Sequence, residues 1–397
     1  MADRLAVSFK QLAPRIVSKY GEYRPARVQR FEIRGNIPTR DILEHGDALA
    51  AGIVTDIPEY TATISAMDVS IKLFSALTGT DATAYPAAGV SINSLTTIDL
   101  IGDVKSETVA DYVKTVYLRK ARVQSMRLAY SVDGDSTEEY VLGTSTRQWF
   151  SHDVIVEEFD ASVASPATLA NTPEVLKNGN YAISVLLDGV HLTEVSAAPG
   201  DGEYSISGTS LSYNATSGTL IVTYKASATV AWTDIRDTTI PVAISGKNVP
   251  VTISTNSIPR VQSVNINVDL KADTIKEQGN VEVVGYTYQI PDVTGDLAVL
   301  DTDLELMAMF STGNIDSTDT EFRACELTAN YGLDLQIELR DPSDPCTTSG
   351  SVLKTIYVPN IQITGESYTS NVGNNVTHTF NFKSANANVI VYSGAMA

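Results

Sequence analysis

Arg27-Val28-Gln29-Arg30-Phe31-Glu32-Ile33 and Arg260-Val261-Gln262-Ser263-Val264-Asn265-Ile266 begin two copies of one pattern. Sliding the chain by 233 positions lays residues 27–79 on 260–312 without a gap. Beyond Arg-Val-Gln and Ile33/Ile266, the matches are Ile42/Ile275, Glu44/Glu277, Gly46/Gly279, Gly52/Gly285, Ile57/Ile290, Pro58/Pro291, Thr61/Thr294, Asp68/Asp301 and Leu73/Leu306. These are 13 identities over 53 positions, where ordinary composition gives about three or four by chance. Lys114-Thr115-Val116-Tyr117-Leu118 then matches Lys354-Thr355-Ile356-Tyr357-Val358 at an offset of 240. The second copy is longer by about seven residues, and the loop 341–345 is the expected place for the excess. Two modules follow, 24–150 and 250–397, after an N-terminal arm, 1–23. Duplication on this scale suits a protein that presents two similar surfaces to copies of itself.

Runs rich in Val, Ile, Thr, Ser and Tyr, broken by Gly and Asn, predict a mainly β chain. The expected plan is two β-sandwich modules, each with a short flanking helix, and a small all-β domain inserted between them. Asp68 and Gly79 bracket the first helix, through Leu73 and Leu77; Asp301 or Thr302 and Gly313 bracket the second, through Leu306 and Phe310. Residues 35–57 and 268–290 read as long irregular loops, and Leu5, Phe9, Leu12 and Ile16 as a short helix interrupted by Pro14. Residues 155–230 form the insertion, with strands around 182–187, 204–207 and 219–224; its outline is immunoglobulin-like, though short for that fold.

The net charge of −19 at pH 7 is uneven: about −1 over 1–150, −7 over 151–249 and −11 over 250–397. Such a chain lacks the basic surface of a nucleic-acid binder. No apolar run reaches the roughly 20 residues that cross a membrane, and Met1-Ala2-Asp3-Arg4-Leu5 is not a signal sequence, so a soluble cytoplasmic product is expected. The two cysteines, Cys325 and Cys346, are read as reduced thiols.

No enzyme, cofactor or metal is expected. His45, His152, His191 and His378 share no motif with a nucleophile, and no GxSxG, Walker, HExxH or GxGxxG sequence occurs. Asp133-Gly134-Asp135 lacks EF-hand spacing and reads as a hairpin turn. The candidate sites are contacts between copies. Glu44, Gly46, Gly52, Glu277, Gly279 and Gly285, in the two long loops, are candidates for contacts between stacked rings. Arg27, Arg30, Arg34, Arg40, Arg119 and Arg122 are candidates for an electrostatic match to the acidic second module of a neighbour.

The order strand, Gly-containing loop, Ile-Pro step, strand and short helix, with Asp292-Val293-Thr294-Gly295-Asp296-Leu297 and Asp301-Thr302-Asp303-Leu304-Glu305-Leu306 at its centre, resembles the tail tube proteins of tailed bacteriophages. The resemblance implies rings whose inner strands close a β-barrel and which stack into a tube that conducts DNA. It implies the fused two-module type found in siphophages, with three chains per pseudo-hexameric ring and the insertion outside; a projecting insertion would hinder a contractile sheath, which favours a non-contractile tail. The implied partners are further copies of the chain and tail terminator, tape measure and distal tail proteins. DNA would pass an acidic lumen without specific binding, no membrane would be involved, and the location would be the virion tail, reached from the host cytoplasm. The alternative reading is a multi-domain β-rich adhesin or carbohydrate-binding protein.

Overall fold

The computed structural model describes residues 12–43, 50–67, 70–105, 112–151, 154–162, 165–228, 230, 244, 246–279, 283–300, 305–312, 321, 332–341, 350–370 and 376–396. The chain is mainly β, in several sheets. Module 1 comprises β1 (Leu12–Ser18), β2 (Val28–Asn36), β3 (Thr39–Leu43), β4 (Ala50–Thr55), β5 (Glu59–Ala66), α1 (Ile71–Thr78), β6 (Ile98–Lys105), β7 (Tyr112–Ser131), β8 (Thr137–Thr144) and β9 (Thr146–Phe150). The insertion supplies β10 (Val154–Asp160), β11 (Ser184–Leu187), β12 (Glu203–Ser207), β13 (Ser210–Tyr213) and β14 (Thr219–Lys225). Module 2 comprises β15 (Val251–Ile253), β16 (Val261–Asp269), β17 (Ala272–Ile275), β18 (Gly285–Tyr288), β19 (Asp292–Val299), α2 (Glu305–Thr312), β20 (Leu333–Arg340), β21 (Val352–Thr369), β22 (Thr377–Ser384) and β23 (Ile390–Ser393).

The two modules share one pairing scheme. In module 1, β2 pairs with β5, β5 with β8 and β8 with β7, all antiparallel. In module 2 the same order runs β16, β19, β22, β21. A second layer in each lies across the core: β1, β6, β7 and β9 in module 1, and β15, β20, β21 and β23 in module 2. Strands β5 and β20 alternate polar and apolar side chains, so one face of each enters the core. That core is continuous between modules, joining Ile64, Leu77 and Leu128 to Ile266, Phe310 and Phe380.

Several repeated residues hold turns. Arg27 and Arg260 have φ of 51° and 58°. Their carbonyls accept the Gln29 and Gln262 side-chain amides at 3.2 and 3.1 Å, and each is followed by a β-bulge. Lys120 and Asn360 (φ 51° and 52°) kink β7 and β21, carrying each strand from one layer into the other. Each is thus a single long strand that serves both layers.

Three expectations are corrected. The residues up to Ile16 were expected to be helical, but Leu12–Ser18 is a buried strand paired with β6. Pro14 interrupts a helix and is tolerated near a strand start, and β6 offers the partner. Residues 39–55 and 272–288 form the hairpins β3–β4 and β17–β18. In both, an Ile side chain lies opposite a Gly (Ile42/Gly52 and Ile275/Gly285), which explains that repeated pair. Helix α1 is capped by Ser70, which accepts the Lys72 amide at 3.3 Å, and closed by Gly79 at φ 60°. Asp68 and the residues expected to bracket α2, Asp301, Thr302 and Gly313, lie outside the described residues.

The insertion packs two small sheets around its own core of Leu169, Val185, Leu211, Val222 and Tyr224. It docks on module 1, where Ile183, Leu186 and Ile221 cover Val17, Ile101 and Tyr117.

Candidate assembly interface

The junction between modules is a strand pairing. Residues 125–131 of β7 pair antiparallel with 263–269 of β16, with Leu128 facing Ile266. One antiparallel sheet therefore runs β2, β5, β8, β7, β16, β19, β22, β21. Its core side is apolar apart from Glu138, His378 and Glu366. Its other side carries Thr61, Thr63 and Ser65 on β5, Asn265 and Asn267 on β16, and Thr294 and Asn381 beyond. The charges on that side are Arg30, Arg34, Arg127 and Lys383 against Glu32, Glu59, Glu139, Asp269, Asp292 and Asp296, a slight excess of acid with the basic end at β2.

Three further contacts seal the junction. Lys354 Nζ on β21 reaches Glu138 Oε1 on β8 at 2.5 Å, both 1 % exposed, and Tyr140 donates its hydroxyl to Glu138 at 2.8 Å. On the outer layer, Val90 and Ser91 pair with Val391 and Ile390 of β23, and Tyr85 donates to the Val391 carbonyl at 2.8 Å. The β17–β18 hairpin lies sideways on module 1. Tyr286 donates to the Gly143 carbonyl at 3.2 Å, the Val283 amide to Ser145 Oγ at 2.9 Å, and the Arg122 guanidinium stacks 3.4 Å over Tyr288.

The two strands that pair at this junction have counterparts at the ends of the sheet. Strand β2 corresponds to β16, and residues 365–369 of β21 to 125–129 of β7. Among the described residues, neither β2 nor this part of β21 pairs on its outer side. Burial records the difference. Leu128 is 1 % exposed beneath β16, whereas its counterpart Tyr368 is 66 % exposed. Val391 is 1 % exposed, whereas its counterpart Trp149 on β9 is 55 % exposed. Lys354 is buried and its counterpart Lys114 exposed, 5.2 Å from the Trp149 ring.

A second polar cluster holds the insertion. Asp99 is buried and accepts from Tyr117, the Lys120 amide (2.9 Å) and Ser184 (2.9 Å), with His191 Nε2 at 3.4 Å. Burial alone would raise the Asp99 pKa. The hydrogen bond and charge of His191, with the Tyr117 and Lys120 donors, outweigh it and hold the carboxyl below its usual 3.8. Nearby, buried Arg15 pairs with Asp103 and donates to the Val154 carbonyl at 2.8 Å.

Of the residues expected to make stacking contacts, Glu44 and Gly46 lie outside the described residues, as do His45, His152, Cys325 and Cys346. Gly52 and Gly285 lie in the hairpins, and Glu277 and Gly279 (φ 91°) in the turn after β17. Of the arginines expected to meet a neighbour, Arg30 and Arg34 both pair with Glu32 on their own strand, and their hydrogen bonds lower the Glu32 pKa. Arg27 shapes a turn, and Arg40 is exposed on β3. Arg119 lies on β7, its carbonyl accepting from Thr144 at 2.6 Å. Burial lowers the Arg122 pKa to about 10. Sequence reasoning missed Glu138 and Lys354; the repeated Lys114/Lys354 was the available signal.

Among the described residues, no group of three or more His, Cys, Asp or Glu is placed to hold a metal ion, and no helix is long and apolar enough to cross a membrane. Compared with known proteins, the chain matches no family model and no curated protein.

Proposed function

We propose that this chain is a structural subunit that assembles with copies of itself, head to tail, into closed rings that stack as a tube of the phage-tail kind. The observation that carries this reading is that the two open ends of the sheet, β2 and the end of β21, are counterparts of the two edges already joined inside the chain. A heterologous contact of this kind closes into a ring or runs on as a filament. Closure removes exposed sheet edges, which otherwise invite uncontrolled pairing.

Three chains would contribute about 24 inner strands. At about 4.8 Å per strand and a tilt near 40°, the barrel measures about 50 Å across its backbone, wider than a DNA duplex. The face that would line it is rich in Thr, Ser and Asn and slightly acidic, so it offers phosphate little to hold. Tail completion proteins, and DNA as cargo, belong to this reading.

Electron microscopy and mass measurement of the purified chain test it. Rings or tubes with three chains per ring are expected. Monodisperse monomers at high concentration, or six chains per ring, would overturn it.

A further inference from the structure

The junction inside the chain is a template for the contact between chains, and its differences from that contact can be read residue by residue. This inference rests on the ring reading above and gives that contact its register and chemistry. Residues 263–269 correspond to 30–36, and 125–129 to 365–369, because each pair occupies the same place in the β2–β5–β8–β7 and β16–β19–β22–β21 orders. Transferring the pairing of Leu128 with Ile266 sets Tyr368 opposite Ile33. The flanking pairs become Ser367 with Arg34 and Thr369 with Glu32.

We infer that β21 of one copy pairs antiparallel with β2 of the next in this register, and that Lys114 of that next copy reaches Glu366 at the seam. Within the chain, Lys354 finds its carboxylate on β8, at Glu138. The counterpart of Glu138 is His378, which offers no carboxylate. His378 is 9 % exposed, lies against Tyr368 and Phe380, and sits 3.1 Å from Glu366 Oε2. Glu366 replaces Met126 of module 1, so the acid has moved from one strand to its neighbour. Lys114 and Glu366 are both exposed in the single chain. The two seams thus share backbone geometry and differ in chemistry: a buried Lys–Glu pair inside each chain, and a Lys–Glu–His cluster between chains.

Cysteine pairing and charge reversal test this. In a chain with Cys325 and Cys346 changed to Ser, Ile33→Cys with Tyr368→Cys brings opposed Cα atoms to about 4.5–5.5 Å, within disulfide range. Covalent dimers and trimers are expected on oxidation of assembled protein. Ile33→Cys with Ser367→Cys, whose side chains leave opposite faces, should give none. Lys114→Glu should raise the concentration needed for assembly about tenfold, and adding Glu366→Lys should restore it. Circular dichroism of each variant monomer guards against misfolding. Rings that form without the 33–368 link, or that link through 33–367, would overturn the register and leave the ring reading standing. Failure of the double charge reversal to rescue assembly of folded protein would overturn the Lys114–Glu366 contact. Absence of any assembly of the parent chain would overturn both readings.

Discussion

Glu138 is an acid in a place where water cannot reach it. Lys354, Tyr140 and Tyr130 surround it, with donors at 2.5, 2.8 and 3.5 Å. The pair is weak evidence for net stability, because two charges had to leave water to form it. Breaking it is another matter, since one charge is then left buried alone. Glu138→Ala should therefore lower unfolding stability by about 3–5 kcal/mol, read by urea denaturation. Replacing both partners, as Glu138→Leu with Lys354→Met, should recover most of that loss; equal losses in the single and double variants would contradict this account. The Arg-Val-Gln repeat, the clearest identity in the sequence, has a local backbone counterpart. Arg27 and Arg260 both adopt left-handed turns closed by a glutamine side chain, so the match coincides with a shared backbone geometry.

The docking of β11 and its hairpin on module 1 depends on Asp99. Its folded pKa is below its unfolded value of 3.8, so its stabilisation is present above that pH and is lost as pH falls through the lower folded value. The Lys120 amide, which donates to Asp99, should exchange faster with solvent as pH drops below 3.8, after correction for intrinsic exchange. Asp99→Asn should remove that step; an unchanged step would assign it to another acid. Elements of this kind were unevenly legible in the sequence. Strands β5 and β19 were plain because one face is buried and alternation is enforced. The β3–β4 and β17–β18 hairpins were not, because short, largely exposed strands with Gly and charged residues carry little periodicity. Strand β1 was hidden because Leu5, Phe9, Leu12 and Ile16 also fit a helical spacing, and only its partner β6 decides the matter. The junction itself could not be read, since pairing between distant strands is set by shared burial and not by local pattern.

At the scale of the whole molecule, the insertion is attached to the second layer of module 1 through an apolar base. Removing 155–230 leaves every strand of the continuous inner sheet in place, so ring assembly should persist by electron microscopy. The same deletion strips cover from Val17, Ile101 and Tyr117, each 0 % exposed in the intact chain. The truncated protein should therefore scatter more light and unfold at lower temperature, and both faults should ease when these three are made polar. Loss of rings in a folded deletion variant would move the insertion into the assembly contact.

In the proposed ring, a covalent tie would span every second joint. A hoop of three such chains has six lines of contact, but peptide backbone bridges three of them. Pulled, heated or salted, it should come apart along only the other three, yielding intact pairs of staves and never single ones. The number of staves in such a hoop would also always be even, because no chain can add one stave without adding the next.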